Sequence, residues 1–274
     1  MGNQDVFGVN GEFLKNKKLF LFDMDGTIYE EDKIFDGTNE LLKQIKTMGG
    51  EYVFVTNNSS KSVKEYLKKV RALGISAELE NFFTSAQATA LYLQEKYPQK
   101  IVYCQGTRSL VDELTESGIN IVTDDREEVD VVLVGFDTEL TSDKIRKTCK
   151  LLQEKVAFIA TNPDLVCPVS FGFVPDCGSI CQMLENATGK KPKYIGKPQR
   201  TMVDIVRKNY GFSLAETVII GDRLYTDIAA GINAGVTSIC VLTGEATVTD
   251  IQKGNIHPTL TFNSVKDIWR LLAS

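Results

Sequence analysis

Two carboxylates separated by a single residue follow an apolar stretch near the start of the chain. The stretch Leu19–Phe22 predicts a buried strand, and Asp23 and Asp25 come directly after it. Gly26 then allows the chain to turn sharply. In an open α/β sheet, ligands bind in the crevice beyond the carboxyl ends of the strands. A pair of acids at that edge can supply a nucleophile or metal ligand together with a proton donor.

Three more polar clusters follow apolar stretches in the same way. The predicted strands are Tyr52–Val55, Lys193–Ile195 and Val218–Ile220. The polar residues that follow them are Thr56–Ser59, Gly196–Pro198 and Gly221–Asp227. Together the clusters supply hydroxyl, amide, ammonium and carboxylate groups. That set suits an anionic substrate held together with a hard divalent cation.

The four clusters resemble, in order and spacing, the motifs of the haloacid dehalogenase (HAD) superfamily. The matching blocks read DMDGT at 23–27, TNN at 56–58, GKP at 196–198 and GDRLYTD at 221–227. Within the superfamily the chain resembles the NagD-like and p-nitrophenylphosphatase-like phosphatases of subfamily IIA, which carry a type C2 cap. The resemblance runs from about Leu19 to the C-terminus. It implies a phosphatase with a Rossmann-like parallel sheet core and an inserted α/β cap domain.

The resemblance also implies roles for the two paired acids and for a metal site. Asp23 is the expected nucleophile, which takes the phosphoryl group as an aspartyl-phosphate. Asp25 is the expected general acid for the leaving oxygen and then the base for the attacking water. The implied cofactor is Mg²⁺, with Asp23, Asp222 and the backbone carbonyl of Asp25 as its protein ligands.

Phosphate binding is expected from Thr56, the amide of Asn57 and Lys197. Thr56 and Asn57 would lie at the start of a helix that Ser59 or Ser60 could cap, and helix N-termini favour anions. A plain capping sequence is the alternative there. Asp227 and Arg223 are expected to support the site, although Asp227 could equally be a helix N-terminal acid.

Strand and helix signals alternate from residue 18 onward, which predicts a parallel α/β architecture. The alternation between the second and third clusters predicts a separate module, so we expect a core at 1–95 and 192–274 and an inserted cap at 96–191. One long continuous sheet is the alternative. Within the cap, Cys167–Ser179 is predicted to be the substrate-facing loop that sets specificity, with a plain connecting loop as the alternative.

Composition narrows the classes of function. The chain has 31 Lys and Arg against 36 Asp and Glu, a formal charge of −5, which argues against a general nucleic-acid binder. No apolar run approaches the roughly 20 residues of a membrane span, and residues 1–18 lack a signal-peptide core, so a cytoplasmic protein is expected. The single histidine and six scattered cysteines disfavour a histidine-based hydrolase, a zinc site and a disulfide framework.

The predicted function is a Mg²⁺-dependent phosphatase for small phosphate monoesters such as a sugar phosphate, phosphoglycolate or a nucleotide-like compound. A phosphotransferase or mutase that uses the same aspartyl-phosphate is one alternative, and a receiver-like phospho-acceptor protein is another. The expected partner is a small phosphorylated metabolite, without nucleic acid or membrane. The oligomeric state is left open, with a homodimer among the alternatives.

Overall fold

The computed structural model describes residues 3–124, 128–169 and 171–274, apart from the side chain of Pro168. The chain forms two compact units. The first combines Met1–Thr56, Val63–Phe83 and Lys197–Ser274, and the second combines Asn57–Ser62 with Thr84–Gly196. The division at residues 95 and 191 expected from the sequence stays a prediction for the domain boundaries.

Strands and helices alternate along the chain, as predicted. The strands are β1 (Leu19–Phe22), β2 (Tyr29–Glu30), β3 (Lys33–Ile34), β4 (Glu51–Thr56), β5 (Phe82–Thr84), β6 (Ile101–Gln105), β7 (Asn120–Val122), β8 (Val131–Val134), β9 (Ala157–Ala160), β10 (Val166–Val169), β11 (Gly172–Pro175), β12 (Lys193–Tyr194), β13 (Thr217–Gly221), β14 (Thr237–Val241) and β15 (Leu260–Phe262). The helices are α1 (Thr38–Thr47), α2 (Val63–Ala72), α3 (Ser85–Lys96), α4 (Arg108–Glu116), α5 (Ser142–Leu151), α6 (Cys177–Thr188), α7 (Thr201–Tyr210), α8 (Ala229–Ala234), α9 (Val248–Lys253) and α10 (Val265–Ala273). Short 3₁₀ segments cover Glu12–Asn16 and Leu79–Asn81, and a π-helical turn covers Leu224–Ile228.

The first unit is built on a six-stranded sheet in the order β15-β14-β13-β1-β4-β5. Strand β1 pairs in parallel with β4 on one side and with β13 on the other. The chain therefore builds the sheet outward from β1 in one direction and then returns to extend it in the other. A parallel sheet opens its ligand crevice at such a reversal, beyond the carboxyl ends of the strands. The topology thus marks the ends of β1 and β13 as the place for a site.

Apolar packing fixes the position of these strands. All four residues of β1 are buried, as expected of a strand covered on both faces. Helix α1 buries Leu41 and Ile45 in the same core to which α10 contributes Ile268. Helix α1 ends just before Gly49, whose φ of +71° is a left-handed conformation that glycine adopts readily.

The second unit contains a five-stranded parallel sheet in the order β12-β9-β8-β6-β7. Strands β6, β8 and β9 lie between the second and third polar clusters, where the alternation of strand and helix signals predicts a separate module. Strand β12, which precedes Lys197, pairs with Ile159 and Ala160 of this second sheet. The predicted core segment 192–274 begins with this strand, although its backbone partners lie in β9.

The helix after Thr56 begins later than predicted. It starts at Val63, so neither Ser59 nor Ser60 caps it. Ser59 instead shares a hydrogen bond of 2.9 Å with Thr161, and Asn58 accepts hydrogen bonds from the amide and hydroxyl of Ser60. These contacts hold residues 57–62 as a loop in the second unit.

The predicted loop Cys167–Ser179 contains an antiparallel hairpin formed by β10 and β11. Ser170 lies outside the described residues. Phe171 and Phe173 are 80% and 66% exposed. Asp176 is buried and caps α6 by accepting a hydrogen bond from the amide of Cys177, so its carboxylate is used within the fold.

The six cysteines are free thiols, as predicted. Cys177 and Cys181 are buried on α6 in the core of the second unit, where the hydrogen bond with the Cys177 thiol, followed by burial, raises the pKa of Cys181. In the part of the chain that the structure describes, no helix is both long and apolar enough to span a bilayer.

Candidate active site

The ends of β1 and β13 bring two of the predicted acids together. The amide of Asp23, the first residue after β1, donates to the carbonyl of Ile220 at 2.8 Å. Asp222 follows β13 directly, and Asp227 lies within the π-helical turn just beyond it. Carboxylate oxygens of Asp23, Asp222 and Asp227 all lie within 4.8 Å of one another. Such π-helical turns occur often at functional sites.

Lys197 links two of these acids. Its ammonium donates to Asp23 at 2.6 Å, to Asp227 at 2.6 Å and to the carbonyl of Val55 at 2.9 Å. The side chain is almost fully buried. Burial alone lowers the pKa of this lysine, but the charges of Asp227 and Asp23 outweigh it and raise the pKa. Lys197 is therefore a fixed positive charge beside the predicted nucleophile.

Asp222 is buried and only partly satisfied. Its Oδ2 accepts a hydrogen bond of 2.8 Å from the amide of Glu245. Its Oδ1 is buried and has no hydrogen-bond partner among the described residues. Burial, followed by the negative charges of Asp23 and Asp227, raises the pKa of Asp222 to about 7. An oxygen in this state is available to a ligand that carries positive charge.

Asp227 is completely enclosed by its neighbours. Besides Lys197, it accepts hydrogen bonds from the Arg223 amide at 3.2 Å and from the Thr226 hydroxyl at 3.4 Å. Burial raises its pKa to about 6, against the opposing charge of Lys197 and with Asp23 adding to the rise. The Arg223 guanidinium forms an ion pair with Glu245 at 3.2 Å, so its contact with Asp227 is made through the backbone.

Asp25 has a different environment from the other acids. The residue is exposed, and its side chain is outside the cluster of Asp23, Asp222 and Asp227. Gly26, with φ at +80°, turns the chain so that its amide donates to Tyr29 at 2.8 Å. The surrounding protein atoms remove part of the hydration of Asp25 and raise its pKa, with Lys69 opposing and Asp23 adding to the rise. An acid that holds its proton more firmly suits a proton donor.

The predicted phosphate ligands Thr56 and Asn57 are consecutive, but they fall in different compact units. Thr56 is the last residue of β4 and is buried. The Asn57 side-chain amide donates to both carboxylate oxygens of Asp164, at 3.1 and 3.2 Å. The Asn57 carbonyl accepts from Ser85 at 2.6 Å and from Asn162 at 2.8 Å. The position of Asn57 is thus closely fixed within the second unit.

The acidic cluster fits a Mg²⁺ ion in its chemistry. Its ligand atoms are carboxylate oxygens, which this hard cation prefers. The three carboxylates lie close together, and the buried Oδ1 of Asp222 has no hydrogen-bond partner among the described residues, so a cation would stabilise the cluster. The roles assigned to Asp23, Asp25 and Asp222 in metal binding, and to Asp227 in supporting the site, stay predictions.

The loop after β14 was not predicted as part of the site. The hydroxyl of Thr243 donates to the carbonyl of Gly26 at 2.6 Å, and the Glu245 amide bonds Asp222. The signal in the sequence was available, because Thr243, Gly244 and Glu245 also follow an apolar strand, Ile239–Val241.

Comparisons with known proteins agree with the geometry. A family model described as haloacid dehalogenase-like hydrolase matches residues 20–120, and a second HAD-like hydrolase model matches residues 194–268. An acid sugar phosphatase of Staphylococcus aureus is 35% identical over 254 residues, which are 93% of this chain and 97% of that protein.

Two solved structures extend the similarity to the fold. The 4-nitrophenylphosphatase of Thermotoga maritima superposes with a TM-score of 0.91 at 36% identity, over 95% of this chain and 99% of that one. NagD from E. coli K-12 gives a TM-score of 0.84 at 32% identity, over 91% of this chain and 97% of that one. The resemblance carried by the four sequence motifs is confirmed over nearly the whole chain. The chain belongs to the NagD-like phosphatases of the haloacid dehalogenase superfamily.

Proposed function

We propose that this phosphatase is Mg²⁺-dependent and hydrolyses small phosphate monoesters through an aspartyl-phosphate on Asp23. The observation that carries the proposal is the position of the Lys197 ammonium, 2.6 Å from both Asp23 and Asp227, beside the partly satisfied Asp222. This arrangement combines a nucleophile with fixed positive charge and with further oxygen ligands for a cation. A phosphoryl group carries the negative charge that such a site attracts.

In the first step, an oxygen of Asp23 forms a bond to phosphorus as the bond from phosphorus to the leaving oxygen breaks. Asp25 donates its proton to that oxygen, for which its raised pKa suits it. Lys197, the Thr56 hydroxyl and the Asn57 amide bind the phosphoryl oxygens in the proposed mechanism. Asp23, Asp222 and the Asp25 carbonyl would hold Mg²⁺, which would supply positive charge against the charge on the phosphoryl group.

In the second step, water attacks the phosphorus of the aspartyl-phosphate. Asp25, now deprotonated, takes a proton from the water, and the bond from phosphorus to the Asp23 oxygen breaks. Phosphate leaves and Asp23 returns as a carboxylate. Asp227 keeps Lys197 charged and in place during both steps, since it bonds the same ammonium.

Small monoesters are the substrate class that these observations support best. The similar S. aureus protein is named for sugar phosphates, and a sugar phosphate is therefore our first candidate. Phosphoglycolate and nucleotide-like monoesters are the other candidates. With a formal charge of −5, the chain needs local cations such as Lys197 to attract an anion.

The test is a phosphate-release screen against a panel of small phosphorylated metabolites and phosphopeptides. We expect activity on small monoesters that disappears after chelation and returns with Mg²⁺. Asp222→Asn should raise the Mg²⁺ concentration needed for half-maximal rate. Turnover in the presence of chelator, a strict requirement for zinc, or a phosphopeptide as the best substrate would overturn the proposal.

A further inference from the structure

We propose that the loop Thr243–Glu245 positions Asp222 so that one of its carboxylate oxygens stays available to the cation. This inference rests on the proposed function, because it concerns how the chain prepares its own metal ligand. The residues of the loop act through Asp222, and they are positioning residues.

The loop occupies one side of the Asp222 carboxylate and leaves the other side without a partner. The Glu245 amide donates to Oδ2 at 2.8 Å, and the Ala246 amide donates to the Asp222 backbone carbonyl at 3.0 Å. Oδ1 is buried and has no hydrogen-bond partner in the described part of the chain. A buried, unpartnered carboxylate oxygen is unfavourable unless a cation or a proton reaches it. The Glu245 amide therefore holds Oδ2, and Oδ1 is the oxygen left for a cation or a proton.

Gly244 allows the loop to approach this closely. A Cβ atom at position 244 would lie 2.5 Å from Cγ of Asp222 and closer still to Oδ2. Since Asp222 is itself buried, its carboxylate could avoid such an atom only by moving away from the position that the Glu245 amide fixes. The side of Asp222 that faces the loop thus accommodates a glycine and no larger residue.

The loop is itself anchored at both ends. The Thr243 hydroxyl donates to the Gly26 carbonyl at 2.6 Å, one residue after the Asp25 carbonyl that is a predicted metal ligand. The Glu245 carboxylate forms an ion pair with Arg223 at 3.2 Å and accepts a hydrogen bond of 3.2 Å from the Tyr225 hydroxyl. One short segment therefore joins the turn after Asp23 to the turn that carries Asp222.

Because the loop acts through Asp222, disturbing it should change the affinity for Mg²⁺ more than the rate at saturating Mg²⁺. Groups that orient metal ligands typically contribute about 10- to 100-fold to metal affinity. A loop that only stabilised the fold would lower the melting temperature and leave the Mg²⁺ affinity unchanged.

The experiment compares Gly244→Ala with Thr247→Ala. Thr247 caps α9 just after the loop, where its side-chain oxygen accepts a hydrogen bond from the Asp250 amide, so its loss should lower the melting temperature. For each protein, Mg²⁺ alone is titrated by calorimetry and by its effect on the melting temperature, and the Mg²⁺ dependence of the rate is measured separately. We expect Gly244→Ala to weaken Mg²⁺ binding at least about tenfold and Thr247→Ala to leave it within about twofold.

A second pair of variants covers the case in which Gly244→Ala does not fold. Thr243→Val removes the hydroxyl that bonds Gly26, and Thr243→Ser keeps it. We expect weaker Mg²⁺ binding in Thr243→Val and binding close to that of the wild type in Thr243→Ser.

Wild-type Mg²⁺ affinity in folded Gly244→Ala, or in Thr243→Val where Gly244→Ala is unfolded, would overturn the inference and leave the proposed function intact. A wild-type protein that neither binds Mg²⁺ nor needs it for hydrolysis would instead overturn the proposed function, and this inference with it.

Discussion

The molecule contains two parallel sheets whose carboxyl-terminal edges both carry acids, and the two edges differ in how those acids are balanced. At the first edge, Asp23 and Asp227 share the single ammonium of Lys197, and one oxygen of Asp222 has no partner among the described residues. At the second edge, Asp137 accepts two hydrogen bonds from the ammonium of Lys144, at 3.0 and 3.1 Å.

Other polar side chains at the second edge also have hydrogen-bond partners. Both oxygens of Asp164 accept from the side-chain amide of Asn57, and Ser59 pairs with Thr161. Parallel α/β topology alone therefore does not make an active site. What distinguishes the first edge is a cluster of three carboxylates that includes a buried oxygen without a partner among the described residues, and this arrangement favours the binding of a metal ion.

Substituting one acid at each edge tests whether the two edges differ in function, and it should give the largest effect. Asp23→Asn keeps the size of the side chain but removes its charge and nucleophilic oxygen. Loss of a covalent nucleophile can cost about 10⁶-fold in kcat, so we expect at least about a 10⁴-fold loss here. The measurement is phosphate release by the purified variant, with its melting temperature as a check of folding.

The matched control is Asp137→Asn at the second edge. It should lower the melting temperature, because Lys144 loses its charged partner, and keep kcat close to the wild-type value. Near-normal activity of Asp23→Asn, or an equally inactive but folded Asp137→Asn, would contradict the distinction between the two edges.

A smaller loss is expected for the exposed acid of the first edge. Asp25→Asn removes the proton donor and the later base, which typically costs about 10²- to 10⁴-fold. Because the second step also lacks its base, phosphoenzyme should accumulate. Acid-quenched reactions with ³²P-labelled substrate would detect the labelled protein. A variant that turns over normally, or that never retains label from a substrate whose leaving group needs no proton, would argue against the assigned role.

Much of the first edge could be predicted from sequence because its functional groups are side chains at strand ends. Asp23, Asp222 and Lys197 each follow an apolar stretch, and the structure brings them together as those positions suggest. The contribution of Glu245 was missed because it is made by a backbone amide, which every residue except proline possesses. The contribution of Gly244 is that it lacks a Cβ atom, which leaves room for the Asp222 carboxylate.

Non-local pairing explains the other differences between expectation and structure. Ser59 has a typical capping residue type, but its hydroxyl pairs with Thr161, which is 102 residues away. The sequence predicts strand β12 as a short strand just before Lys197 but does not indicate that its partner in the sheet is β9. Local sequence patterns identify such segments without identifying their partners.

The cluster of carboxylates at the first edge also predicts a link between pH and metal binding. The pKa values of Asp222 and Asp227 are raised to about 7 and about 6, above the value near 3.9 of an unfolded aspartate. Without a cation, the stability that these groups contribute is fully present below about pH 4 and is lost as the pH rises through about 7. Mg²⁺ needs the deprotonated carboxylates, so it should stabilise the protein more at high pH.

We therefore expect Mg²⁺ to raise the melting temperature by a few degrees more at pH 8 than at pH 5. Differential scanning calorimetry with and without millimolar Mg²⁺ would measure this. Asp222→Asn removes one of the two groups and should reduce the difference between the two pH values. A shift that is the same at both pH values, or larger at pH 5, would show that the acids of this edge are not linked to Mg²⁺ binding.

The smallest expected effect concerns substrate selection. It is predicted to depend on the hairpin segment of the second unit and not on the acids at the strand ends of that unit. Phe171, in the hairpin segment predicted to contact substrate, is 80% exposed, so Phe171→Ala should change the free energy of unfolding by less than about 0.5 kcal/mol. If its ring contacts substrates, the ratio of kcat/KM between two small monoesters should shift by up to about tenfold, since apolar contacts discriminate weakly.

The control is Ile232→Ala, on α8 of the first unit and 50% exposed, which should leave the ranking of substrates unchanged. A ranking that is the same in wild type, Phe171→Ala and Phe173→Ala would remove the hairpin from substrate selection, while a change in the Mg²⁺ requirement of these variants would show that the hairpin affects the acidic edge as well.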